Sequence, residues 1–138
     1  MPLTPELVAA YRDADYVIFA KPEVTFRIGQ HSAALDELLA HQQAASAAFI
    51  TADNPRGPEK SYGENQAAWE ALRKSPLLIG HPWFRGEGRD PAGRWPPEPS
   101  LLIVGMSRRE AENLGAQLGQ RAVVFIEKGG KPDLVVLV

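Results

Sequence analysis

Residues Trp95 to Gly105 read WPPEPSLLIVG, and the second half of that stretch sets the fold. Leu101 to Val104 is an unbroken apolar run bounded by Ser100 and Gly105, the pattern of a central strand. Ser107-Arg108-Arg109-Glu110 follows at once with the S-x-x-E spacing of a capping box. There, serine and glutamate side chains each satisfy an orphan backbone N–H, opening a helix with Ala111, Leu114 and Leu118 on its buried side. Gly119 stands where a left-handed residue ends it. The first half of the stretch is stiff. Pro96, Pro97 and Pro99 have no N–H to give a ladder, so they predict an irregular, rigid approach that holds Glu98 at the strand entrance.

Toward the C-terminus, Ala122 to Ile126 (AVVFI) and Leu134 to Val138 (LVVLV) are two more strands, and EKGGKPD between them suits a hairpin turn. Toward the N-terminus, Ser61-Tyr62-Gly63-Glu64 is a second capping box, before a helix that turns Ala68, Trp69 and Leu72 inward and stops at Ser75-Pro76. Leu77 to Gly80 reads as a short strand. Pro82 to Pro99 reads as a long loop rich in glycine, proline and arginine, and Asp53 to Lys60 as another loop, broken by Asn54-Pro55 and Gly57-Pro58.

The remaining elements are a helix begun by Thr4-Pro5-Glu6, strands at Tyr16 to Ala20 and Glu23 to Ile28, a helix capped by Ser32 with Leu35, Leu38 and Leu39 on one side, and a strand at Ser46 to Ala52. Helices interspersed with strands, and two hairpins, predict an α+β fold: a mixed or largely antiparallel sheet with helices packed on it, in one domain spanning residues 1–138.

Composition narrows the function. Fifteen basic against 17 acidic residues give a net charge of -2, so no global field gathers nucleic acid or anionic lipid. The absence of cysteine removes disulfides, thiolate nucleophiles and cysteine-ligated zinc, and fits a cytoplasmic address. MPLTPELVAAYRDADY lacks the basic start and apolar run of a signal peptide, and no apolar run approaches the roughly 20 residues of a membrane helix.

His31, His41 and His81 are scattered without metal-ligand spacing, and no cofactor fingerprint occurs. Arg85-Gly86-Glu87-Gly88-Arg89 holds a lone G-x-G that opens no predicted helix. Trp83, Phe84 and Trp95 with Arg85, Arg89 and Arg94 are a mixture that stacks on bases or grips phosphate. Glu87, Asp90 and Glu98 cancel those arginines within the same segment, which favours internal ion pairing.

Neutral polar residues and one acid stand at the ends of predicted elements: Asn54, Asn65, Glu98 and Gln120. Side chains at strand ends converge on one rim of a sheet, a common ligand site, where Glu98 would serve as general acid or base if burial raised its pKa. Each also has a local role open to it: Asn54 in a turn, Asn65 at a helix start, Gln120 at a helix end.

Four ordered motifs carry a resemblance: FITADNP (Phe49 to Pro55), ENQAAWEAL (Glu64 to Leu72), GRDPAGRWPPEPSLLIVGMS (Gly88 to Ser107) and GQRAVVF (Gly119 to Phe125). Over roughly Ala45 to Val124 the chain resembles a bacterial family of uncharacterised proteins, the domain of unknown function 3293. The resemblance implies no activity, but it picks out Asn54-Pro55, Asn65, Trp95, Glu98, Ser100 and Gln120 as lying within the family's motifs.

Three functions fit. The first is binding of a small polar ligand or protein partner at a rim built from Asn54, Asn65, Trp95, Ser100 and Gln120. The second is an enzyme with Glu98 as acid/base on a polar or nucleotide-like substrate. The third is an interaction module, of inhibitor or immunity type, that uses the 82–99 loop through an exposed patch of Trp83, Phe84 and Trp95. Binding leads, since no activated nucleophile, metal site or carboxylate pair is recognisable.

Overall fold

The computed structural model describes residues 4–51 and 62–137, with residues 62–65 described by their backbone alone. Helix starts follow local capping chemistry. The Leu7 N–H donates to Thr4 Oγ1 at 3.2 Å, opening α1 (Pro5–Asp13), and the Leu35 N–H donates to Ser32 Oγ at 3.1 Å, opening α2 (Ala33–His41). Helix α3 covers Tyr62–Arg73; the capping box expected at its start lies outside the described side chains. The box of α4 (Arg108–Gln117) is complete, with Glu110 N–H to Ser107 Oγ at 3.1 Å and Ser107 N–H to Glu110 Oε1 at 2.9 Å. The helix closes at Gly119, whose φ of 69° lets the Gln120 N–H return to the Gly115 carbonyl at 2.9 Å.

The strands are β1 (Asp15–Ile18), β2 (Val24–Phe26), β3 (Ser46–Thr51), β4 (Trp83–Arg89), β5 (Glu98–Val104), β6 (Ala122–Glu127) and β7 (Asp133–Val136). They form one sheet in the order β2-β1-β4-β5-β3-β6-β7, every pairing antiparallel. The fold is thus α+β with an antiparallel sheet, as the element order predicts.

The sheet is strongly curled. Phe26 and Phe49 sit on strands four steps apart, about 19 Å in a flat sheet, yet their rings lie 5.4 Å apart. The Gly29 N–H, just past β2, reaches the Pro132 carbonyl, just before β7, at 2.8 Å, so the two edges nearly meet. The concave face holds Tyr16, Ile18, Phe26, Phe49, Leu102 and Val124, and α1 and α2 pack there through Leu7, Tyr11, Leu35 and Leu39. The convex face of the central strands carries Ala48, Ile50, Leu101, Ile103 and Val123 beneath Leu72 of α3 and Ala111 and Leu114 of α4.

Three local expectations change. The 82–99 segment is not one long loop: its first half is strand β4, WFRGEGR. Phe84, Gly86 and Gly88 face the concave side, and Trp83, Arg85, Glu87 and Arg89 the other. A Cβ at Gly86 would overlap the Val17 carbonyl oxygen and stand 3.1 Å from the Phe49 ring, so the curl requires glycine there. Leu77 to Gly80 is not a strand. Ser75 Oγ accepts the Leu77 N–H and Pro76 opens a 3-10 turn, Pro76–Leu78, that tucks Leu78 under the sheet. Finally, Glu98 and Pro99 belong to β5 itself, paired with Gly88 and Glu87. Proline is admitted because it stands second in the strand, beyond the last described pair of β3 with β5, Thr51 and Ser100.

Candidate functional site

Register brings the site together. Phe26, Tyr16, Gly88 and Glu98 lie directly opposite one another across β2, β1, β4 and β5, in a single row on the concave face. Opposed residues share a face, so at Gly88 no side chain of the row stands between Tyr16 and Glu98. Their backbones are two strand steps apart, about 10 Å. A Cβ at Gly88 would stand 3.8 Å from the Tyr16 ring and 4.0 Å from the Trp95 ring, ordinary contact distances, so the two rings stand over the glycine with room for a methyl group.

Trp95 is set there by the β4–β5 connection. The Asp90 carboxylate accepts the Ala92 N–H at 3.0 Å and the Arg94 N–H at 2.8 Å, and it also binds the Arg94 guanidinium at 2.8 Å. The guanidinium, helped by the backbone donors, holds the buried Asp90 carboxyl down at about 2. This fastened turn delivers Trp95 to the concave core, half-buried, with its indole N–H buried and without a hydrogen-bond partner among the described residues.

Tyr11 completes the site from α1. Its carbonyl takes the Tyr16 hydroxyl at 2.6 Å, while its own hydroxyl is buried and makes no hydrogen bond among the described residues. Tyr11 as a whole is 4% exposed. Burial raises the pKa of both phenols well above the usual tyrosine range. For Tyr11, the charge of Glu98 adds to the rise and that of Arg121 opposes it; for Tyr16, Tyr11 and then Glu98 add. Both hydroxyls stay protonated at physiological pH, and Glu98, 8% exposed, is in electrostatic contact with both.

The residues singled out from sequence divide. Glu98 and Trp95 are brought together at Gly88. Ser100 is fully buried and supports it from beneath: its hydroxyl donates to the Glu98 carbonyl at 3.0 Å and meets Thr51 Oγ1 at 3.1 Å. Gln120 is not joined to that row: it lies just past α4, and a Cβ at Gly115 of that helix would stand 3.8 Å from the Gln120 Cβ. It is buried under the C-terminus of α4. Asn54 lies outside the described residues; Asn65 is in the first turns of α3, its side chain likewise not described.

The proposed aromatic patch does not exist as one surface. Trp83 is exposed on the outer face, whereas Phe84 and Trp95 pack against the concave core. The segment's arginines are engaged locally: Arg94 with Asp90, Arg89 with Glu87, and Arg85 over the Trp69 ring at 5.8 Å. Among the described residues no three His, Asp or Glu side chains are placed to hold a metal, and no helix is long and apolar enough to cross a membrane.

Sequence reasoning missed Tyr11, Tyr16 and Gly88. Their signal is weak locally: two tyrosines on apolar faces whose polar tips need partners, and a glycine whose place opposite Glu98 depends on register.

Residues 50–123, more than half of the 138-residue chain, match the family described as Protein of unknown function (DUF3293), and the chain belongs to that family. The matched span contains Gly88, Trp95, Glu98, Ser100 and Gln120, while Tyr11 and Tyr16 are contributed from outside it. No curated protein and no solved structure matches the chain.

Proposed function

We propose that this DUF3293-family protein binds a small polar molecule at the cluster of Tyr11, Tyr16, Trp95 and Glu98 about Gly88. The observation that carries the proposal is the Tyr11 hydroxyl, buried without a hydrogen-bond partner among the described residues, next to a buried carboxylate. An unmet buried hydroxyl costs about 1–3 kcal/mol, and a ligand that meets it recovers that cost on binding. Trp95 offers a second unmet donor, and Ser100 fixes the backbone that carries Glu98.

Native mass spectrometry of the purified protein tests this. A bound molecule of a few hundred daltons is expected in the wild-type spectrum and strongly reduced in Glu98→Gln and in Trp95→Phe. Equal retention by both variants would remove these residues from the site.

Turnover is a second reading, favoured by one observation: Glu98, a residue only 8% exposed whose charge bears on two protonated phenols, is a chemically reasonable acid/base group. The two readings part on a single comparison. If the bound molecule is released chemically unchanged by wild-type protein after prolonged incubation, the function is binding; if it is converted by wild type and not by Glu98→Gln, Glu98 is catalytic.

A further inference from the structure

We infer that His81 carries a proton on both ring nitrogens in the folded protein and serves as a proton-dependent latch between the chain entering β4 and the start of α4. The latch lies where β5 finishes, away from Gly88, and does not depend on the binding reading above. His81 Nδ1 stands 3.0 Å from the Val104 carbonyl oxygen, and Nε2 stands 3.1 Å from Glu110 Oε2. A neutral imidazole has one N–H and one lone pair; only the imidazolium donates from both nitrogens. A backbone carbonyl accepts and never donates, so Nδ1 must hold a hydrogen to meet it. Nε2 faces a carboxylate whose other oxygen takes the Ser107 N–H at 2.9 Å. That backbone donor, with His81 assisting, holds the Glu110 carboxyl below its usual range, so at neutral pH it is an anion and an acceptor. A lone pair on Nε2 would confront that anion at hydrogen-bond distance, whereas a second proton turns the contact into a charge-assisted bond.

The ring has no other partner to turn to among the described residues. Its side chain is 17% exposed, so water reaches little of it. From β5 it meets backbone: a Cβ at Gly105 would stand 3.5 Å from Nδ1. From α4 the charge that faces it is Glu110, while Arg108 turns to Asp133 at 3.0 Å and Glu112 at 3.8 Å. The chain on either side is anchored without the ring, by the His81 N–H to the Leu78 carbonyl at 3.0 Å and the Val104 N–H to the Pro82 carbonyl at 2.8 Å. Losing the second proton therefore removes the side-chain tie to α4 and leaves the backbone in place. An ordinary histidine gives up its proton at about pH 6.5. The latch stabilises fully below that value, until Glu110 itself is protonated, and is lost as the pH rises to where the folded ring gives up its proton.

Nitrogen-15 labelling of the histidines tests this, with His81→Gln assigning the ring among His31, His41 and His81. At about pH 7.5, above the ordinary histidine value, His81 is expected to show two protonated ring nitrogens and the exposed His41 one. A His81 ring with one protonated nitrogen overturns the latch. Glu110→Gln is the conservative variant, since glutamine also completes a capping box. It is expected to keep α4 folded and to return His81 to one protonated nitrogen at the same pH. A ring still doubly protonated in that variant takes Glu110 out of the latch and overturns it. In urea unfolding, the folding constant of wild type is expected to exceed that of Glu110→Gln by about 3- to 10-fold at about pH 6, and to match it within about 2-fold at about pH 9. The same ratio at both pH values overturns the proton dependence.

Discussion

The two ends of the curled sheet treat their polar groups in opposite ways. At the end where β3 starts and β5 finishes, His81 uses both ring nitrogens, Nδ1 against the Val104 carbonyl at 3.0 Å and Nε2 against Glu110 at 3.1 Å. Ser46 donates to the Met106 carbonyl at 2.8 Å, and Ser107 and Glu110 close the start of α4. At the other end, Tyr11 and Trp95 keep a buried hydroxyl and a buried N–H without partners among the described residues, around a glycine that leaves room. The difference teaches that, among the described residues, one end is closed by internal hydrogen bonds while the other keeps two buried polar groups without partners, at a cost of about 1–3 kcal/mol per group. That second end is the one that carries Glu98.

The comparison depends first on the curl. Phe49 meets Tyr16 and Phe26 across the concave face, so Phe49→Ala should destabilise by about 3–5 kcal/mol in urea unfolding. A loss under 1 kcal/mol would mean that these rings do not hold the sheet's curvature.

The two glycines of β4 sharpen it. Gly86→Ala drives a Cβ into the Val17 carbonyl and should cost roughly 2–3 kcal/mol, whereas Gly88→Ala meets only ring atoms at 3.8 and 4.0 Å and should stay within about 1 kcal/mol of wild type. Equal destabilisation would erase the distinction between a glycine required by the backbone and one that leaves space.

A smaller effect lies in the turn that delivers Trp95. Because the folded-state pKa of Asp90 is depressed, its stabilising contribution is fully present above the ordinary carboxyl value and is lost as pH falls through about 2. Melting temperatures of wild type and Asp90→Asn should therefore converge between about pH 4 and pH 2. Parallel curves across that window would show that the carboxylate charge does not hold the turn.

The smallest effect is at Tyr11. Tyr11→Phe removes a hydroxyl with no partner among the described residues, so stability should be unchanged or raised by up to about 1 kcal/mol in the absence of ligand. A clear loss would mean that the hydroxyl serves the fold.

What was legible in the sequence follows the range of the forces involved. Thr4, Ser32 and Ser107 announce their helices because capping is settled within four residues, and Leu101 to Val104 announces its strand because it is buried on both faces. Strand β4 was hidden because Gly86 and Gly88 blank the apolar half of its alternation and look like loop punctuation; the reason for Gly86 is the neighbouring strand's carbonyl, which is tertiary. Leu77 and Leu78 imitate a strand because a short apolar run has no period of its own. At the site, Glu98 stood out through its prolines, and Trp95 through its motif. Tyr11 and Tyr16 could not be joined to them until register set Tyr16, Gly88 and Glu98 in one row.

The most direct test of that row is native mass spectrometry of Gly88→Ala beside wild type. The added methyl meets the Tyr16 and Trp95 rings at ordinary contact distances, so the predicted result is a folded protein that no longer retains the molecule bound by wild type. Retention as strong as that of wild type would contradict binding at Gly88.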